Sequence, residues 1–381
     1  MRPMKITFVL PHAGMAGGTR VVAIYAKRLR DRGHQVVVVS QPLPRPTLHD
    51  QLRSVVKHGH LQATPTSWPS HFDGLSIPHR VLERPRPVSD KDLPDADVVV
   101  ATWWETAEWV ARLSPKKGAK AYFLQHHEVV IDTLHTERVK ATWRLPMHKL
   151  TISKWLVDLA RDEYGDSNVS WVPNSVDLGQ FQAPPRGRQA SPTVGLLYVD
   201  IAWKGCAVSL AAFASAAKKI PGLRLVAFGA DSPSAGLALP AGTRFHLLPP
   251  QDKLRDIYAS CDVWLSASFS EGFGLPILEA MACRCPVVST AVGGAIDNIQ
   301  HGINGYLVPV GDTDRLSEYL GKVLAAPKAT WQRMSDAAYR TATAYTWDDA
   351  TTRFEQGLQL AIERHRAGDL APRLVATPSA A

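Results

Sequence analysis

Two glutamates with seven residues between them, Glu271 and Glu279, frame the most chemically suggestive stretch of the chain, Ser270 to Met281 (SEGFGLPILEAM). The apolar run Asp262–Ala267 reads as a strand, Ser268–Leu275 as a glycine-bearing loop, and Pro276 as the first position of a helix, which proline favours. The unpaired amides and the positive dipole end of such a helix start attract an anion. Gly272 and Gly274, on either side of Phe273 and just before Leu275, let the backbone approach a ligand closely. Glu271 in the loop and Glu279 about one turn into the helix can face one pocket. Ionised carboxylates only accept hydrogen bonds, so the pair suits hydroxyl groups around an anion. That pattern describes a sugar diphosphate, with phosphates on the amides and ribose and hexose hydroxyls on the two acids. The competing reading is an ordinary loop–helix junction with solvated acids.

Four further constellations follow strands. Trp203-Lys204-Gly205 places a cation at a helix start beside the expected diphosphate, where Lys204 would act as a point charge on phosphate. The turn Gly14-Met15-Ala16-Gly17-Gly18 lacks the three spaced glycines of a dinucleotide site, which argues against NAD. Gly17 and Gly18 remain either a tight turn or a donor contact. Gln125-His126-His127-Glu128 offers two imidazoles. His126 is the better candidate to position or polarise a hydroxyl near neutral pH, and His127 is either an acceptor-side group or a structural one. Trp103 and Trp104, in Thr102-Trp103-Trp104-Glu105, suit stacking on an acceptor sugar or lipid head, or core packing for one of the two.

The elements that must carry these residues form two doubly wound α/β halves. In the first, strands are expected at Lys5–Pro11, Val36–Ser40, Asp97–Thr102, Lys120–Gln125, Lys149–Ser153 and Val169–Pro173, with a helix at Thr19–Arg32. Uninterrupted apolar strands alternating with helices require a parallel sheet covered on both faces. Residues 41–95, rich in Pro, His and Ser, are expected to be irregular. The second half repeats the scheme from Thr193 to Val308, with helices at about 205–219, 251–260, 276–284 and 312–325. The expected domains are 1–180 and 190–345, joined by a linker at Gln182–Pro192. A helix at 347–366 completes the first domain, and 367–381 form a tail. Ligands of such sheets lie beyond the carboxyl ends of the strands.

Composition narrows the setting. The 381 residues allow two domains, and no apolar run reaches the ~20 residues of a membrane-spanning helix. No signal peptide is visible. The four cysteines, Cys206, Cys261, Cys283 and Cys285, lack zinc spacing and read as buried thiols of a cytosolic protein. No metal cluster is visible, so no metal cofactor is expected. The net charge is +8, and residues 1–60 hold ten Lys/Arg against two Asp/Glu. The run Lys27-Arg28-Leu29-Arg30-Asp31-Arg32 is either a solvated helix end complementing the dipole or a face for an anionic membrane or phosphorylated acceptor. Nothing resembles a nucleic-acid-binding motif.

The acidic block resembles the signature of family-4 retaining glycosyltransferases with the GT-B fold, two Rossmann-like domains facing each other across a cleft. The likeness continues through Ala280-Met281-Ala282-Cys283, Pro286-Val287-Val288, Gly293-Gly294 and His301-Gly302-Ile303-Asn304-Gly305. It implies a nucleotide-sugar donor as substrate, with Glu271 on the transferred sugar, Glu279 on the ribose and Lys204 neutralising the leaving pyrophosphate. It further implies donor contact by the glycine turn and a histidine, best matched by His126, facing acceptor and donor sugar. The acceptor would be a glycan or lipid-linked glycan in cell-surface polysaccharide or glycolipid assembly, handled in the cytoplasm or at the inner membrane face. Two positions depart from the family: Tyr198 stands where an arginine is usual, and Arg284 where glycine is common. The rival readings are a sugar-nucleotide epimerase or hydrolase on the same fold, and a non-catalytic sugar-nucleotide-binding protein.

Overall fold

The structure is a computed structural model that describes residues 2–42 and 69–369. Among the described residues thirteen strands lie in two sheets, one of seven and one of six. In the first sheet the order is β3-β2-β1-β4-β5-β6-β7, built from Lys5–Leu10, Gln35–Ser40, His79–Val81, Val98–Ala101, Ala119–Leu124, His148–Thr151 and Val169–Trp171 as β1 to β7. The second sheet has the order β10-β9-β8-β11-β12-β13, from Thr193–Leu197, Arg224–Gly229, Arg244–Leu247, Val263–Ser266, Val287–Thr290 and Gly305–Val308 as β8 to β13. β1 pairs in parallel with both β2 and β4, so Ile6 lies opposite Val36 and Val98. Every residue of β4 and of β5 is buried, as strands covered on both faces must be.

Strand order reverses between β1 and β4 in one sheet and between β8 and β11 in the other. At such switch points the loops beyond adjacent carboxyl ends diverge to opposite faces and leave room for a ligand. The turn after β1 opens helix α1, Gly17–Asp31, whose Val21, Val22, Tyr25, Ala26 and Leu29 form one buried stripe. Helices α2 (Trp104–Ala111) and α3 (Thr136–Thr142) follow in the same half, and α4 (Lys154–Asp162) comes next in the chain. The second half holds α5 (Cys206–Ala217), α6 (Leu254–Ala259), α7 (Leu275–Ala282), α8 (Ala295–Asn298), α9 (Thr313–Ala325) and α10 (Lys328–Thr343), and α11 (Trp347–Ala367) ends the described chain.

By its internal contacts the chain divides into two compact units. The first comprises Met1–Thr151, Leu159–Ser170 and Thr351–Ala381, and the second Ile152–Asp158 and Trp171–Ala350. The linker expected at Gln182–Pro192 therefore lies inside the second unit. There the buried Ala183 donates its amide to Ala282 O, and Arg186 donates to Cys261 O, so the Pro-rich composition marks a docked extended segment. α11 is tied into the first unit: Phe354 stacks on Tyr25 at 4.3 Å between ring centroids. His34 Nδ1 accepts from the Met4 amide, which leaves its Nε2 to donate to Glu355 at 2.7 Å. Of the stretch expected to be irregular, 43–68 lie outside the described residues, while β3 and a short turn at Asp90–Asp92 form in the rest. Most of the expected tail, from residue 370 on, is also outside them.

The basic run is more engaged than a free patch would be. Lys27 pairs with Asp31, Arg30 donates to Ser76 O, and Arg32 binds Glu355 and Thr352 on α11. All four cysteines are free and buried, and burial pushes the thiols of Cys261 and Cys283 up to about 12.

Candidate active site

In the second unit the chain leaves β8, makes a short turn at Ala202–Lys204 and enters α5 through Gly205. Gly205 has φ +64°, and a Cβ there would stand 1.9 Å from Ala267 O at the end of β11. Glycine alone allows the Lys204 turn to sit against the neighbouring loop at the switch point. Lys204 Nζ donates to both carboxylate oxygens of Glu271, at 2.9 and 2.8 Å, and lies 4.3 Å over the Trp203 ring. Ser268 Oγ donates to Glu271 Oε1 at 2.8 Å, and Phe269 donates its amide to Trp203 O.

The loop from Glu271 to Gly274 is held from several sides. Gly294 donates its amide to Phe273 O at 2.9 Å, and Trp155 Nε1 donates to Gly272 O at 3.1 Å. Gly293, at φ +55°, comes so near that a Cβ would lie 2.6 Å from Glu271 O. Gly274, at φ +85°, turns the chain into α7. Pro276 is the second residue of α7, one place later than expected, still in the first turn where its missing N–H costs no helical bond, and Ile277 donates its amide to Gly274 O at 3.0 Å. Gly272 and Phe273 are buried, so their offer to a ligand is backbone, while Leu275 is half-buried. Glu279 lies deeper along α7, 4% exposed, and its Oε2 accepts from Tyr258 OH at 2.8 Å. Tyr258, on α6, carried no signal in the sequence beyond its place on the helix before β11.

Both departures from the expected pattern are structural. Tyr198 is buried, donates to Leu237 O and accepts from the Ser234 amide, so it pins the loop after β9. Arg284, at φ +61°, closes the carboxyl end of α7. It binds Asp336, donates to Ala183 O and lies over Tyr339. An eight-residue helix is about 12 Å long, so Arg284 sits a helix length from the Lys204 end and does not replace the missing cation.

In the first unit the candidates lie beyond the carboxyl ends of β1, β4 and β5. Gly17 and Gly18 are exposed at the start of α1, and Gln125 Nε2 donates to Gly18 O at 3.1 Å. His126 is buried, with Nδ1 3.0 Å from His127 O. His127 turns inward: Nε2 meets Tyr164 OH at 2.8 Å and the ring meets Trp143 edge-on. Burial first, then the charges of His126 and Lys140, lowers its pKa to about 4. Trp104 is 2% exposed beneath Arg138 and His135, so only the half-buried Trp103 can present an indole face. His127 and Trp104 are thus both engaged in packing contacts within the first unit.

Glu128, unremarked in the sequence, ties these loops together. It is 1% exposed, and its Oε2 accepts from the Trp104 amide at 2.8 Å and from Tyr122 OH at 3.0 Å. Burial without a cation raises its pKa from 4.5 to about 8. Between those two values the folded protein holds a proton that the unfolded chain has released. The stabilisation from protonated Glu128 is therefore complete below about 4.5 and is lost as pH rises toward about 8. Urea unfolding from pH 5 to 9 is expected to show this decline in wild type and a flatter profile in Glu128→Gln; identical slopes would refute it.

Among the described residues no three His, Cys, Asp or Glu side chains gather as a metal-ligand set.

Residues 192–326, which contain the whole Lys204–Glu271–Glu279 arrangement, match the family described as Glycosyl transferases group 1. That match covers most of the second unit and none of the first. The fold of the chain is that of the GT-B enzymes: a protein of Anabaena, HepE, solved with UDP-glucose, superposes with TM-score 0.68 over 94% of this chain and 99% of its own, at 17% identity. Sucrose-phosphate synthase of Thermosynechococcus elongatus gives TM-score 0.69 over 94% and 99%, at 16% identity. In sequence, D-inositol 3-phosphate glycosyltransferase of Mycobacterium avium is 34% identical over 217 residues, covering 52% of this chain and 51% of the relative. The chain spans about half the length of the curated relatives it matches.

Proposed function

We propose that the chain is a retaining glycosyltransferase that moves a hexosyl group from a nucleotide-sugar donor to a hydroxyl of a glycan or lipid-linked acceptor. The observation that carries the reading is the Lys204–Glu271 pair at the switch point of the second sheet, in the loop that leads into α7. The diphosphate meets Lys204, the donor sugar meets Glu271, and the ribose meets Glu279. The UDP-glucose bound by HepE and the transferase name of the mycobacterial relative support a nucleotide-sugar donor. Charge developing on the departing phosphate is stabilised by fixed dipoles and one cation. The same phosphate accepts the proton of the incoming hydroxyl on the same face, through an oxocarbenium-like transition state. The reaction needs no metal in this reading, and His126 and Trp103 serve the acceptor.

The two acids are expected to fail differently. Glu279→Ala weakens binding of free nucleoside diphosphate and of sugar nucleotide alike, because both carry the ribose. Glu271→Ala weakens mainly the intact sugar nucleotide and turnover. Titration of both variants against UDP-, GDP-, dTDP- and ADP-sugars and the matching diphosphates checks this; equal losses for both ligands in both variants refute the roles. Product analysis with and without acceptor separates transfer from hydrolysis or epimerisation.

The acceptor is proposed to lie at an anionic surface, supported by the ten Lys/Arg against two Asp/Glu in residues 1–60. Binding to vesicles of anionic lipid should appear at low salt and fade as salt screens it. Absence of binding at low salt removes the membrane from the proposal.

A further inference from the structure

We propose that Ser268 is a positioning residue that holds Glu271 in place for the donor sugar after Lys204 has left that carboxylate for the diphosphate. The inference rests on the donor reading above and adds to it a residue with no assigned part.

Glu271 accepts three hydrogen bonds, two from Lys204 and one from Ser268. Two of the three therefore come from the group that must neutralise the leaving diphosphate. A diphosphate carries more charge than a carboxylate, so Lys204 exchanges partners when the donor arrives. Without another anchor, Glu271 would then be a long flexible side chain, 14% exposed and free to change rotamer.

Ser268 supplies that anchor. It is 3% exposed, and its carbonyl accepts from Thr290 Oγ1 at 2.6 Å, which ties it to β12. Its single hydroxyl proton has two acceptors in reach, Glu271 Oε1 at 2.8 Å and Lys204 O at 3.3 Å. The nearer, charged oxygen takes it. With Oε1 held by Ser268, Oε2 is released by Lys204 and turns to a sugar hydroxyl. Ser268 touches neither phosphate nor sugar; it acts through Glu271.

The test uses the full-length chain with Ser268→Ala and Ser268→Thr. The probes are UDP-glucose, UDP-N-acetylglucosamine, GDP-mannose, dTDP-glucose, ADP-glucose and the matching diphosphates. Titration calorimetry gives binding, and release of diphosphate with water as acceptor gives turnover. Ser268→Ala is expected to bind the diphosphates as wild type does and to lose about tenfold in turnover, the size of one hydrogen bond to a charged group. Ser268→Thr, which keeps the hydroxyl, is expected to recover it. Equal loss for diphosphate and sugar nucleotide would show that Ser268 merely supports the fold. Unchanged turnover in Ser268→Ala, or a Ser268→Thr variant with native Tm that is no better than Ser268→Ala, also overturns the assignment. If wild type binds none of the probes, the donor reading falls, and Ser268's part with it.

Discussion

Lys204→Ala is expected to cost about 10²- to 10³-fold in turnover, by analogy with the loss of one fixed oxyanion donor, while the protein remains folded. The energetic argument is local. Lys204 lies on a turn whose backbone is set by Gly205, and its ammonium makes no bond to the core; its partners are Glu271 and the Trp203 ring. Tyr198 is committed to the loop after β9 and Arg284 to the far end of α7, so neither can take over its charge. Steady-state kinetics with a thermal melt of the same sample checks the prediction. A variant with near-native turnover would place Lys204 outside the reaction.

Gly205→Ala is expected to act on the fold itself. The new methyl would have to occupy space 1.9 Å from Ala267 O and 2.6 Å from Ala267 C, both backbone atoms that cannot rotate away. The left-handed conformation at φ +64° adds about 1 kcal/mol for a residue with a side chain. Either α5 shifts at its first turn or β11 parts from its loop, and each displaces Lys204 from Glu271. We expect a loss of about 3 kcal/mol or more, in the range reserved for backbone strain and overpacking, together with loss of turnover. Urea unfolding measures it, and a cost below about 1 kcal/mol would show that the turn has room this geometry denies.

The central strands were legible because a parallel sheet buried on both faces leaves a period-free apolar run, as in Val98–Ala101. The acidic block was legible because glycine, proline and paired acids punctuate a strand–loop–helix junction in fixed order. α10 escaped notice, since its buried face is made largely of small residues, Ser335, Ala337, Ala338 and Ala342, beside Met334 and Trp331, whose indole donates to Asp262 O. Which of two adjacent tryptophans or histidines points inward depends on neighbours far away in the chain. Trp104 is covered by Arg138, and His127 is claimed by Tyr164. Tyr258 and Glu128 were invisible for the same reason: each matters through a hydrogen bond to a residue distant in the chain, Glu279 and Trp104 respectively, while Ser268 reaches Glu271 only through the conformation of their shared loop.

The closing helix α11 has a bearing on how the protein is made and re-engineered. Its Phe354, Glu355 and neighbours belong to the first unit, although some 180 residues of the second are synthesised in between. On the ribosome, the second unit has its whole sequence before the first has its last helix, reversing the usual order in which the N-terminal domain folds first. Any chimera that exchanges the second unit must therefore be joined near residues 170 and 350, with Ile152–Asp158 exchanged alongside, so that α11 travels with the half it completes.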